Sequence, residues 1–162
     1  MEFPMRRADR ALGEGEALRL IAESSHAVLS TVDADGEPYG VPISFALEGR
    51  SVYLHGAAAT GHRLANVGGS CRACLTVVSS DEVVPAQFTT HYSSAIAFGT
   101  LRPARDDAEK REGLRALVRK YAPNHIEAGE RYIDAAIDQT SVLVMEVDRA
   151  TGKSNAPGRR RN

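Results

Sequence analysis

The stretch Tyr53-Leu54-His55-Gly56-Ala57-Ala58-Ala59-Thr60-Gly61-His62-Arg63 decides how the rest of the chain is read. Ser51-Val52-Tyr53-Leu54 is rich in β-branched and aromatic residues, which predicts a strand. The strand breaks at Gly56, crosses small residues, and opens a helix at Thr60-Gly61-His62-Arg63 that runs on through Leu64, Ala65 and Val67. Such a strand–loop–helix step, with glycines that admit a close backbone approach and a cation at the helix start, is suited to holding an anion. Arg63 can fork onto two phosphate oxygens at once. An ordinary connection with an exposed arginine has the same local pattern. Neither the Gly-x-x-x-x-Gly-Lys phosphate loop nor GxGxxG is present.

Working outward, the preceding segment reads as a meander. Ala27–Val32 is a strand, Asp33-Ala34-Asp35-Gly36-Glu37-Pro38 a turn, Tyr39–Leu47 the partner strand, and Glu48-Gly49-Arg50 the turn into Ser51–His55. Pro42 interrupts the donor series of the second strand. It implies an edge, a bulge, or a backbone that bonds something other than a strand, such as a planar heterocycle. Ahead of the meander lie a polar arm (residues 1–10) and a short helix with Leu18, Ile21 and Ala22 on one face.

After the helix ending at Gly68-Gly69, Ala73–Val78 reads as a strand, Ser79–Pro85 as a loop, and Thr89–Leu101 as a long strand. Asp106–Tyr121 has Leu114, Leu117 and Val118 at helical spacing with charges opposite, and Pro123 stops it. Ile126–Ile137 is a weaker helix and Ser141–Val147 the last strand; beyond Gly152 the apolar residues run out. Short sequential strands predict a mainly β, antiparallel barrel with peripheral helices rather than a parallel α/β sheet. The expected organisation is an arm over 1–16, one domain over 17–150 and a disordered tail over 151–162.

The chain has 162 residues, 43% hydrophobic and 25% charged, with a formal net charge of -1. That balance predicts no general affinity for nucleic acid or anionic membranes. Arg159-Arg160-Arg161 is a local exception, read as a solvated tail. No apolar run approaches the ~18 residues of a membrane span. With no secretory signal and no cysteine framework, a cytoplasmic location is expected. Cys71 and Cys74 form a CxxC, but no second pair completes a zinc site, and small buried hydrophobes are the better reading. His55, His62 and His91 sit at strand ends or in the glycine-bearing loop without metal-site spacing, so no metal is expected. There is no GxSxG elbow and no catalytic carboxylate pair. A phosphate-type loop without acid, base or nucleophile points to chemistry carried by a cofactor.

The ordered set Ala27–Val32, Pro38–Phe45, Val52–Ala57, Gly61-His62-Arg63-Leu64 and Tyr92–Gly99 resembles the FMN-binding split-barrel proteins related to pyridoxamine 5′-phosphate oxidase, most nearly the nitroimidazole-resistance (Nim-type) branch, over about residues 20 to 150. The resemblance implies a homodimer of six-stranded antiparallel split barrels with flanking helices and FMN between subunits. It assigns Val41, Pro42, Ile43 and Ser44 to the flavin ring, and Leu54, His55, Gly56 and Ala57 to the ring and ribityl chain. Thr60, His62 and Arg63 would hold the phosphate, and Tyr92 and Ser93 would approach from the following strand. His55 matches a histidine implicated in the Nim-type active site. Arg63 stands where Lys is common, and Ala95 where a larger apolar residue is usual. The substrate-phosphate residues of true oxidases are not recognisable, so vitamin B6 synthesis is not implied. The activity implied is FMN-dependent reduction of small electron-poor molecules. The alternative is a non-catalytic, haem-binding or deazaflavin-binding protein on the same barrel.

Overall fold

The computed structural model describes residues 4–58 and 61–157 of the chain. Its strands are β1 (Ala11–Leu12), β2 (Ala27–Val32), β3 (Pro38–Ile43), β4 (Phe45–Glu48), β5 (Ser51–Ala57), β6 (Cys71–Val84), β7 (Thr89–Pro103) and β8 (Thr140–Ser154). Its helices are α1 (Glu14–Glu23), α2 (His62–Val67), α3 (Asp107–Tyr121) and α4 (Ile126–Ala136). The eight strands form one sheet in the order β3-β2-β6-β7-β8-β5-β4, with β1 added to β8, and every pairing is antiparallel.

The expected single strand over Tyr39–Leu47 is two strands broken at Ser44. β3 pairs with β2 at one border of the sheet, and β4 pairs with β5 at the other. Consecutive segments therefore form both borders, and the sheet curls into a barrel that the ladder does not close. This is the split barrel with flanking helices that the sequence predicts. Pro42 is tolerated because β3 is a border strand with β2 as its sheet neighbour.

Side-chain alternation builds two cores. Leu29, Phe45, Val52, Leu54, Leu75, Val77, Leu101, Leu143 and Met145 point into the barrel, where Ala17 and Ile21 of α1 meet them. Opposite-phase residues Tyr53, Val142 and Val144 pack under Leu114 and Leu117 of α3 and Ile133 of α4. Strands β5 and β8 are thus covered on both faces, which explains the unbroken apolar run Val142–Met145.

Three further expectations change. The loop read over Ser79–Pro85 is the outer part of β6: Asp81 pairs with Tyr92 and Glu82 with His91, past a register shift between Val78 and Ser80. Its polar composition reflects a hairpin with solvent on both faces, and the reversal comes later, at Pro85–Gln87. α1 buries Ala17, Leu20 and Ile21, with Ala22 exposed, so its apolar face is turned from the one predicted. Finally, β8 runs on to Ser154, which is 6% exposed and bonded to Ser93 Oγ at 2.9 Å. Residues 151–154, assigned to the tail, are strand; Arg159, Arg160 and Arg161 lie outside the described residues.

Candidate functional site

β5 ends in the glycine-bearing bend, and β8 ties that end down. Ser141 Oγ donates to the carbonyls of Gly56 and Ala57 at 3.3 and 3.1 Å, and Ala58 N–H donates to the Gln139 carbonyl at 3.0 Å. From the start of α2, Arg63 folds back across this end. Its Nη1 donates to the His55 carbonyl at 3.3 Å, a long bond, and its Nε is buried without a hydrogen-bond partner. A Cβ at Gly56 would stand 2.0 Å from Arg63 Nη2, so the guanidinium occupies space that only glycine leaves open. The result is a cation held against bare backbone with little of its donor capacity used.

A helix dipole adds little to this corner. α2 is 6 residues long and its first residue lacks a side-chain cap, so the dipole term foreseen in the sequence is small. His62, at the head of α2, stacks on Tyr39 of β3, with ring centroids 4.1 Å apart and planes tilted by 36°. Asn66 Nδ2 donates to Thr31 Oγ1 at 3.1 Å and fastens α2 to β2. These contacts bring Arg63, His62, His55, Gly56 and Ala57 to one corner of the barrel. Thr60 lies outside the described residues.

His55 reaches the surface at the end of β5, yet desolvation by the surrounding chain, and then the positive charge of Arg63, lower its imidazole pKa below the ordinary value. Leu54 is buried in the barrel and offers only backbone. Val41 and Ile43 pack against the same core, while Pro42 and Ser44 face outward. The β4–β5 register ends at Phe45 opposite Leu54, so the Ser44 corner abuts His55.

Tyr92 and Ser93 are not part of this corner. Gly56 pairs with Ser141 at the start of β8, and Ser93 pairs with Ser154 at its end. That separation is on the order of 40 Å of strand. Tyr92 instead lines a cleft with Arg10, Val84 and Phe88. Sequence reasoning missed Tyr39, although alternation along β3 puts it on the same face as Val41 and Ile43.

Cys71 and Cys74 are both free thiols. Three residues apart on β6, they point to opposite faces: Cys71 packs against the barrel core and Cys74 lines an outer cleft with Ser30, Tyr39 and Phe98. They cannot act as a pair. Among the described residues no three His, Cys, Asp or Glu side chains gather, and no helix is long and apolar enough to cross a membrane.

A sequence model of the pyridoxamine 5′-phosphate oxidase family matches residues 13–154. The chain belongs to that family. No curated protein matches it. Solved structures share its fold. One is a proposed 5-nitroimidazole antibiotic resistance protein from Bacteroides thetaiotaomicron, 23% identical over 89% of this chain and 87% of that one, with a TM-score of 0.73. Another is the FAD and haem binding protein of Mycobacterium smegmatis, 23% identical over 92% and 74% of the two chains, with a TM-score of 0.75. The flavocytochrome Anf3 of Azotobacter vinelandii is 22% identical over 94% and 72%, with a TM-score of 0.74. At these identities the pyridoxamine 5′-phosphate oxidase family relationship carries the fold, and the site must be argued from its own residues.

Proposed function

We propose that this chain binds FMN as a homodimer and acts as a flavin-dependent reductase of small electron-poor molecules such as nitro-heterocycles. The observation that supports this most directly is Arg63 lying over Gly56 with its Nε buried and unpartnered. A phosphate at that corner supplies the acceptors the guanidinium lacks, in a water-poor setting where charge-assisted bonds are strong. His62, held by Tyr39, and Thr60 flank the same anion. The outward backbone of Val41–Ser44, with Pro42 presenting an apolar ring edge, and the exposed end of β5 form the walls for the ring and ribityl chain. Bound flavin supplies hydride or electron transfer through N5. Desolvation and the charge of Arg63 favour the neutral form of His55, whose one ring N–H can donate a hydrogen bond to a substrate oxygen.

Two features support the homodimer. Val28, Val32 and Val78 are 39%, 54% and 63% exposed on one outer face of β2 and β6, beside an apolar cleft of about 390 Å³ lined by Cys74 and Phe98. Tyr92 and Ser93, distant from Arg63 along their own chain, reach a flavin only from a second copy.

The test is an absorbance spectrum and an FMN titration of the purified chain. Wild type is expected to be yellow. Arg63→Ala should raise the Kd about 100-fold, the loss of one charge-assisted contact set. Gly56→Ala, whose methyl takes the place of the guanidinium, should raise it at least about tenfold. A colourless protein that takes up no FMN overturns the proposal. A Soret band lost in His55→Ala, or selective retention of a deazaflavin, replaces it with the corresponding alternative.

A further inference from the structure

Tyr121, the last residue of α3, sends its hydroxyl to the Ser44 corner. The oxygen accepts from Phe45 N–H at 2.9 Å and lies 2.5 Å from the Ser25 carbonyl and 2.9 Å from the Phe45 carbonyl. One phenolic proton serves one carbonyl at a time, and Ser25 is the nearer acceptor.

In the β2–β3 register Ala27 faces Ile43 and Val28 faces Pro42. Two residues further along, the same register would set Ser25 opposite Phe45. There the ladder stops, and Phe45 pairs with Leu54 of β5 instead. The N–H and carbonyl of Phe45 that point away from β5 would be left on an open border. The Tyr121 hydroxyl stands between Ser25 and Phe45 in place of the missing rung. It bridges the split in the barrel at the residue after Ser44.

We propose that Tyr121 is a positioning residue: its hydroxyl pins the Ser44 corner and so sets the orientation in which Val41–Ser44 meets the flavin ring. This rests on the flavin reading above and adds to it a residue that touches neither cofactor nor substrate. A purely structural tie would change stability alone. A positioning tie also changes cofactor affinity and the visible spectrum of the bound flavin.

The experiment compares wild type with Tyr121→Phe, which keeps the ring and deletes the hydroxyl. Circular dichroism is expected to show the fold retained. The Kd for FMN should rise about tenfold, with a displaced visible flavin band, and exchange of the Phe45 amide should accelerate while amides of β7 and β8 stay unchanged. A Kd within about twofold of wild type with an unaltered spectrum overturns the role. Phe45 amide exchange in the wild-type chain, with and without FMN, gives a check independent of the variant. Protection that deepens on binding supports the role, and an unprotected amide, or one that FMN leaves unchanged, overturns it. A wild-type chain that takes up no FMN sinks the flavin reading and this role together. FMN binding that is indifferent to Tyr121→Phe sinks the role alone.

Discussion

Lys120 shows how much a single side chain can depart from its place in a sequence pattern. The helical spacing of α3 assigns it to the charged, solvent-facing side. In the fold its Nζ is buried without a hydrogen bond, 3.7 Å from the centroid of the Phe45 ring and 5.4 Å from that of Tyr121. Burial lowers its pKa to about 8 from the ordinary 10.5. The sign follows from proton counting. Between these two values the unfolded chain holds a proton that the folded chain has released, so stability rises with pH across that window. Below about pH 8 both states are protonated and the cost of the buried ammonium is fully present. Lys120→Met is expected to abolish the rise and to stabilise the protein at pH 7 by no more than about 1 kcal/mol, because part of the side chain still meets solvent. Denaturant melts at pH 7, 8.5 and 10 check this, and a parallel pH dependence in both proteins contradicts it. At this scale the sequence disclosed Arg63 and Gly56, because a small residue followed seven positions later by a cation is a local pattern. It concealed Tyr39, Lys120 and Tyr121, whose roles depend on partners brought close by the fold.

One network of charges ties the start of α3 to β7 and β8. Glu109, in the first turn of α3, accepts a two-toothed bond from Arg102 of β7 at 2.7 and 2.8 Å, plus Arg105 Nη2 at 2.8 Å, while Arg102 also reaches Glu146 of β8 at 2.9 Å. The side chains of Arg102 and Glu109 are 19% and 12% exposed, so the pair is largely withdrawn from water. Asp106 caps the helix by accepting from Glu109 N–H at 2.8 Å. The adjacent guanidinium groups of Arg102 and Arg105 hold the Glu109 carboxyl well below the usual carboxylate range. Its contribution is therefore complete above the unfolded pKa and is lost as pH falls toward the folded one. Glu109→Gln is expected to cost about 2–3 kcal/mol at pH 7 and to flatten the acid limb of the stability curve. Equal stabilities at pH 7 contradict the assignment. The sequence located α3 and both of its ends, since cap, period and stop signal are local. It misplaced the end of β6, because Asp81 and Glu82 look like turn residues when the hairpin that pairs them with Tyr92 and His91 is not in view.

For the whole molecule, the proposed dimer would use the outer face bearing Val28, Val32 and Val78. Val78 is 63% exposed, so Val78→Asp should leave the melting temperature of the isolated chain nearly unchanged. In solution it is expected to convert a dimer into a monomer and to weaken FMN binding more than tenfold, since each site then lacks the strand carrying Tyr92 and Ser93. Light scattering coupled to size-exclusion chromatography reads the first effect and titration the second. A dimeric, fully flavinated Val78→Asp protein excludes this face. The family and the barrel were legible from the order of short motifs along the chain. A site shared between two copies was implied only by the resemblance, since the placement of Tyr92 and Ser93 away from Arg63 depends on the length of β8.

Ser44 carries one more implication. Through it the two margins of the sheet become sequence neighbours, so the cylinder owes its shape to a covalent hinge as well as to pairing. Relocating the termini to that point by circular permutation would leave the two margins joined only by the Tyr121 hydroxyl and the packed interior.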